Sequence, residues 1–190
     1  RLSGEAGLSL DHGNMNLTGA LGARSLSSEA AADRTLGTWR TAASYRFAPG
    51  AGAGIGYSHY SFDETALLLG SDLDIDEISL DGDIEPRPGL SVGAGLATGW
   101  LSDDNQRRSA VLAITQRVAR RFTLGLFGRA LGYDNPGTGY FAPDRFLLGE
   151  TRGAFTYGDR RWEGRISGGL GLQQIGKGAG AQSEWHAEAR

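Results

Sequence analysis

The sequence predicts an all-β fold, an antiparallel transmembrane β-barrel, and three observations carry that prediction. Apolar and polar residues alternate at period two in eleven segments, as strands with one greasy and one wet face require. The connections between segments are alternately short and long. Aromatic residues gather at both segment ends and leave an aliphatic middle, as the two interfaces of a bilayer select.

The segments follow in order. Residues 1–11 set Leu2, Ala6, Leu8 and Leu10 against Ser3, Glu5, Ser9 and Asp11, and 15–24 set Met15, Leu17, Leu21 and Ala23 against Asn16, Thr18 and Arg24. Residues 37–47 set Trp39, Ala43, Tyr45 and Phe47 against Arg40, Ser44 and Arg46. Residues 51–62 alternate Gly with Ala53, Ile55 and Tyr57. Residues 72–85 alternate acids with Leu73 and Ile75, then Ile78, Leu80 and Ile84, and the phase slip near Asp76 and Glu77 predicts a bulge there. Residues 90–101 are greasy at Leu90, Val92, Ala94, Leu96 and Trp100, and nearly bare at Ser91, Gly93, Gly95, Ala97 and Gly99. The same alternation runs through 108–118, 122–133, 146–157, 162–173 and 183–190.

The tight connections are Asp11–Asn14, Ala48–Gly50, Glu85–Gly89, Ala119–Arg121 and Gly158–Arg161. The longer ones are Ser25–Arg34, Asp63–Ser71, Ser102–Arg107, Asp134–Arg145 and Gly176–Gln182. Outer-membrane barrels keep short turns at the periplasmic end and elaborate the other. Near the long-loop ends lie Trp39, Phe62, Trp100, Tyr133, Phe146 and Trp185; near the short turns lie Tyr45, Phe47, Phe122, Tyr157 and Trp162. The membrane-girdle set expected from these is Trp39, Tyr45, Phe47, Trp100, Phe122, Tyr157, Trp162 and Trp185. A soluble sandwich also alternates, but its strands are shorter and it has no use for aromatic ends or one-sided loops.

Composition excludes other classes. With 31 Gly in 190 residues, against about 7% in ordinary proteins, helices are disfavoured, because each interior Gly costs roughly 1 kcal/mol against Ala. No Cys is present, so there is neither a disulfide framework nor thiolate chemistry. A net charge of −3 gives no footprint for nucleic acid. No run of about 18 apolar residues marks a membrane-spanning helix. His12, His59 and His186 are scattered, and neither a nucleophile elbow nor a phosphate loop occurs; no enzymatic activity, cofactor or metal is expected.

Bacterial barrels begin and end on the periplasmic side with an even strand count. The first segment heads toward a short turn, so the 190 residues are expected to be one barrel domain truncated at both ends. About 11 strands lie in this chain, of about 12–16 in the full protein.

The stretch Gly139-Tyr140-Phe141-Ala142-Pro143-Asp144-Arg145-Phe146 resembles the Gly-Tyr-Phe-Ser-Pro element of exopolysaccharide secretion porins. These are the C-terminal outer-membrane β-barrels of the poly-N-acetylglucosamine export porin and the cellulose secretion channel. The flanking Arg117, Arg120 and Arg121, Leu131-Gly132-Tyr133-Asp134, Trp162 and Gly169-Leu170-Gly171 are similar too. The likeness covers roughly residues 107–175, with Ala142 in place of Ser. It implies a bacterial outer-membrane location, a polysaccharide as transported substrate, a periplasmic tetratricopeptide domain and an inner-membrane synthase as partners, besides the outer-membrane lipid. The alternative is a non-conducting barrel that anchors or scaffolds an envelope assembly.

The lumen-lining candidates are Asp74, Asp76, Asp81, Asp83, Arg117, Arg129, Glu150, Arg152, Glu163 and Arg165. The acidic run from Asp72 to Glu85 is either a cation-attracting wall or a solvated strand face. It fails the calcium-loop pattern, having Glu77 where Gly is needed. The Arg and Glu residues are expected to form cross-strand ladders. Tyr140, Phe141 and Pro143 are the loop or gate candidates; Tyr140 and Phe141 either stack on sugars, fold into the lumen, or pack on the rim. His186, between Glu184 and Glu188 on one face, is a candidate proton-switch group, a candidate base of a barrel hydrolase, or an ordinary lumen residue.

Overall fold

The computed structural model describes residues 2–28, 31–61, 73–137, 139–158 and 163–189. Eleven strands follow one another: β1 (Leu2–His12), β2 (Met15–Ser28), β3 (Ala31–Ala48), β4 (Ala51–Ser61), β5 (Asp74–Arg87), β6 (Leu90–Leu101), β7 (Gln106–Ala119), β8 (Phe122–Tyr133), β9 (Phe146–Gly158), β10 (Glu163–Ile175) and β11 (Gln182–Ala189). They form a single sheet in sequence order, each strand antiparallel to the next. The turns at Gly13, Gly50 and Gly89 hold positive φ values of 59°, 73° and 80°, which a tight hairpin needs and only Gly adopts freely.

The sheet has two unlike faces. One cross-strand row runs Ile55, Leu80, Leu96, Ala110; the neighbouring row on the other face runs Gly54, Asp81, Gly95. Leu80, Leu96, Leu126 and Leu170 are 51%, 59%, 57% and 72% exposed. The buried strand residues Leu36, Ile75, Leu101, Tyr133 and Glu150 all lie on the other, polar face. Side chains converge on a concave face and splay on a convex one, so the polar face is the inner one. There Arg107 on β7 reaches across Gly99 to Glu77 on β5 and donates to the Tyr60 hydroxyl on β4 (2.7 Å). Among the described residues no core gathers beneath Leu96, Leu126 and Leu170, and this is the fold of an outer-membrane-type β-barrel wall.

The sheet is not closed: β1 and β11 are its edges. Every neighbouring pair being antiparallel, these two run in the same direction. Antiparallel closure therefore needs an odd number of further strands.

Expectations about three regions are corrected by the register. Asp74 and Asp76 are not on the inner wall: Asp76 pairs with His59 and Trp100, and Asp74 with Ser61, on the face of Ile78 and Leu80. The expected bulge at Asp76 and Glu77 does not occur; pairing with β4 is continuous from Asp74 to Ile84, and the irregularity against β6 comes later, between Ile84 and Arg87. The inversion has a packing cause, since Ile75 is wholly buried on the inner face and uninterrupted alternation sends its neighbours outward. Second, Tyr133 and Phe146 turn inward with Arg107 and Leu131 rather than joining an outer girdle. Third, most of the expected 25–34 loop is strand, with Ser25 paired to Thr35, Leu26 to Arg34 and Ser28 to Ala31; no Gly or Pro interrupts it. Phe62 and Trp162 lie outside the described residues.

Candidate functional site

Small residues make the inner wall wide. Ser91, Gly93, Gly95, Ala97 and Gly99 of β6, and Ser167, Gly169 and Gly171 of β10, occupy it. Some of these glycines are bare of necessity. A Cβ on Gly169 would sit 2.6 Å from the His186 ring, and one on Gly171 would sit 2.5 Å from the Gly149 carbonyl and 2.7 Å from Glu150. Over this paving the Glu150 side chain, 3% exposed, accepts from Arg152 Nε (2.7 Å) and lies 3.3 Å from His186 Nδ1. The Arg152 guanidinium sits over the Phe127 ring at 3.6 Å, a cation–π contact. A recess of about 310 Å³ beside them is lined by Thr115, Thr123, Arg152, Arg165, Ser167 and His186.

The remaining inner candidates separate by sign. Asp81 and Asp83 stand above Gly54 and Gly52 on β4, and line a recess of about 520 Å³ at the short-turn end with Asp11, Asn16, Ser44 and Arg46. Arg117, Arg129 and Arg165 face inward on β7, β8 and β10. None of these three makes an ion pair among the described residues; the inner-face ion pairs described are Glu5–Arg40, Glu77–Arg107 and the Glu150 cluster. Glu163 has the inner register position opposite Gly158; its side chain lies outside the described set.

At the long-loop end the inner face changes character. Leu73, Ile75, Leu101, Tyr133 and Tyr140 form a buried apolar cluster, with Tyr60, Leu131 and Ala142 packed against it. Tyr140 comes from the loop between β8 and β9, so that loop folds inward over β5 to β8. The fold explains its sequence. The Tyr140 ring covers Gly137, where a Cβ would sit 2.5 Å from it, and Gly139 holds φ at 85°. The Pro143 carbonyl accepts from the Tyr133 amide (2.9 Å). Asn105 Nδ2 donates to the Tyr140 hydroxyl (2.8 Å), which donates to Asp103 Oδ2 (2.8 Å). Asn105 is itself 4% exposed and fully bonded: Nδ2 also reaches the Asn135 carbonyl, and Oδ1 accepts from the Asn135 and Gln106 amides. Asn105 and Asp103 were not anticipated, because an Asp-Asp-Asn turn carries no local sign of a tyrosine 35 residues on.

Burial pushes the Tyr140 hydroxyl up to about 12, with the hydrogen bond to the Asp103 carboxylate acting in the same direction. The neutral hydroxyl is thus the form the fold favours. Its contribution is complete below the ordinary tyrosine value near 10, and is lost as pH rises through about 12. Replacing Tyr140 by Phe leaves Asn105 and Asp103 short of a partner, a loss of about 1.5–3 kcal/mol for a charge-assisted bond. Amide exchange over residues 134–144 is expected to quicken, and the wild-type minus Tyr140→Phe phenolate absorbance to show a midpoint near 12. An unchanged exchange pattern would sink the latch.

The outward face has its own polar cluster at this end. The Trp39 and His59 rings stack at 3.7 Å, His59 Nδ1 is 2.9 Å from Asp76, and the Tyr57 hydroxyl donates to the same carboxylate. A satisfied carboxylate between Trp39 and Trp100 suits a water–lipid interface. Of the other described girdle candidates, Tyr45, Phe122, Tyr157 and Trp185 are also outward and exposed, and Phe47, at the irregularity between Arg46 and Ala48, is exposed.

This architecture defines a barrel wall with an exposed aliphatic exterior and a polar, glycine-paved interior face, and solved structures share the fold. A structure described as a "Bacterial polysaccharide outer membrane secretin" superposes with a TM-score of 0.79 at 15% identity, over 97% of this chain and 65% of that one. A FadL homologue of Pseudomonas aeruginosa superposes at 0.58 with 11% identity, over 98% of this chain and 64% of that one. The chain thus spans just under two thirds of either neighbour. No protein-family model and no curated protein matches the sequence.

Proposed function

We propose that this chain forms part of a bacterial outer-membrane pore for export of an exopolysaccharide. The carrying observation is the division of the sheet into an exposed aliphatic exterior and a glycine-paved, charged interior. Conduction needs wall contacts weak enough to release the cargo, and small residues with scattered charges supply them. The likeness to a polysaccharide secretin supports the same reading, as does the Gly-Tyr-Phe-Ala-Pro loop. In this reading the pore performs no covalent chemistry. It receives its polymer from an inner-membrane synthase by way of a periplasmic tetratricopeptide domain.

Single-channel recording in planar bilayers tests it. Ohmic steps are expected. Asp81→Ser with Asp83→Ser should lower cation over anion selectivity, while Asp74→Ser with Asp76→Ser, on the outer face, should leave the reversal potential unmoved. The inward-folded 134–145 loop favours a second reading, a sealed barrel that only scaffolds an assembly. Silence of both the wild type and Tyr140→Ala would establish that reading and overturn export.

A further inference from the structure

Among the described residues, an exposed apolar surface lies on the inner face that neither the buried cluster nor the lipid-type exterior accounts for. Phe141, carried inward by the latched loop, is 50% exposed. Its ring meets the Phe146 ring edge-on, centroids 6.1 Å apart. Phe146 lies in a cross-strand row with Leu131 and Ile175, and Ile175 is 42% exposed. The next inner row, about 7 Å deeper by the rise of two strand residues, is Arg129, Leu148 and Gln173. The Arg129 and Gln173 side chains engage no other side chain among the described residues. An aromatic pair thus overlooks planar hydrogen-bonding groups that engage no other side chain among the described residues.

That combination matches a pyranose ring, which has an apolar C–H face and an equatorial rim of hydroxyls. The loop anchor holds the platform in advance, so little ordering is needed on binding. We propose that Phe141 and Phe146 form a sugar-ring stacking site at the long-loop mouth, with Arg129 and Gln173 as hydroxyl partners. The site rests on the export reading for its purpose, yet its binding can be measured without conduction.

The experiment is saturation-transfer NMR with titration of cellohexaose, N-acetylglucosamine hexamer and a hexauronate into detergent-solubilised full-length protein. At least one hexasaccharide should bind in the millimolar range or tighter. Phe141→Ala should weaken it at least tenfold and Phe141→Trp preserve it. Phe141→Leu, which keeps bulk but not the ring face, should behave like Ala. Amide exchange of the loop, unchanged in each variant, separates loss of the ring from loss of the fold. Absence of binding to all three sugars, equal binding by Phe141→Ala, or full binding by Phe141→Leu would each overturn the site. A conducting pore with unaltered Phe141→Ala binding would remove the site and leave export standing; sugar binding by a silent barrel would do the reverse.

Discussion

Leu96→Arg is expected to destabilise the protein in a bilayer by about 2–4 kcal/mol, the cost of a guanidinium near the midplane of a barrel's lipid face. Leu96 sits midway along β6, flanked outward by Leu80 and Ala110, and is 59% exposed. Its inward neighbour Ala97 pairs with Ser79 and Ser109, so Ala97→Arg reaches water and should cost under about 1 kcal/mol. Denaturant unfolding from liposomes measures both. Equal costs, or a greater cost at Ala97, would mean that the faces are assigned the wrong way round.

Gly171→Ala should also destabilise, by about 1–3 kcal/mol, as overpacking does. The added methyl meets the Gly149 carbonyl and the Glu150 side chain, and Glu150 can yield only by leaving His186 and Arg152. Gly149→Ala provides the contrast. Nothing lies within 4 Å of its Cβ position, so the substitution should be neutral or stabilise by up to about 1 kcal/mol through lost chain entropy. Opposite signs for two glycines on adjacent strands are the expected result from the same unfolding measurement. A stable Gly171→Ala protein would show that the Glu150 cluster has room to move.

Both expectations depend on curvature. A flat sheet offers its two faces equal space, whereas a curved one crowds the inner side chains and spreads the outer. Glycine on β10 lets β9 and β11 place Glu150 and His186 in contact across it. Gly99 does the same for Arg107 and Glu77. Glycine abundance is therefore a consequence of inner-wall crowding as well as of smoothness.

The extent to which the sequence discloses this protein differs along the strands. In β6, β8 and β10 the greasy and bare positions predicted from alternation are the outer and inner faces observed, because a strand's side-chain period is two and nothing else competes for Leu96, Leu126 or Leu170. In β5 the same reasoning fails for Asp74 and Asp76. Their polarity suits an inner wall, but Ile75 is claimed by a cluster built from β6, β8 and a loop distant in sequence. The aromatic residues show the same split. Trp39 and Trp100 are outward as their position suggests, while Tyr133 and Phe146 are drawn inward by the company of Tyr140.

Strand number, order, hairpin connection and the outward set of aliphatic residues were determined by the sequence alone, since they follow from local periodicity and from turns of two or three residues. The direction of the 134–145 loop, the latch of Tyr140 on Asp103 and Asn105, and the placing of Glu150 beside His186 were decided only by tertiary structure. Each joins residues separated by 30 or more positions, and such contacts arise from the curvature of the whole sheet, which no short window of residues contains.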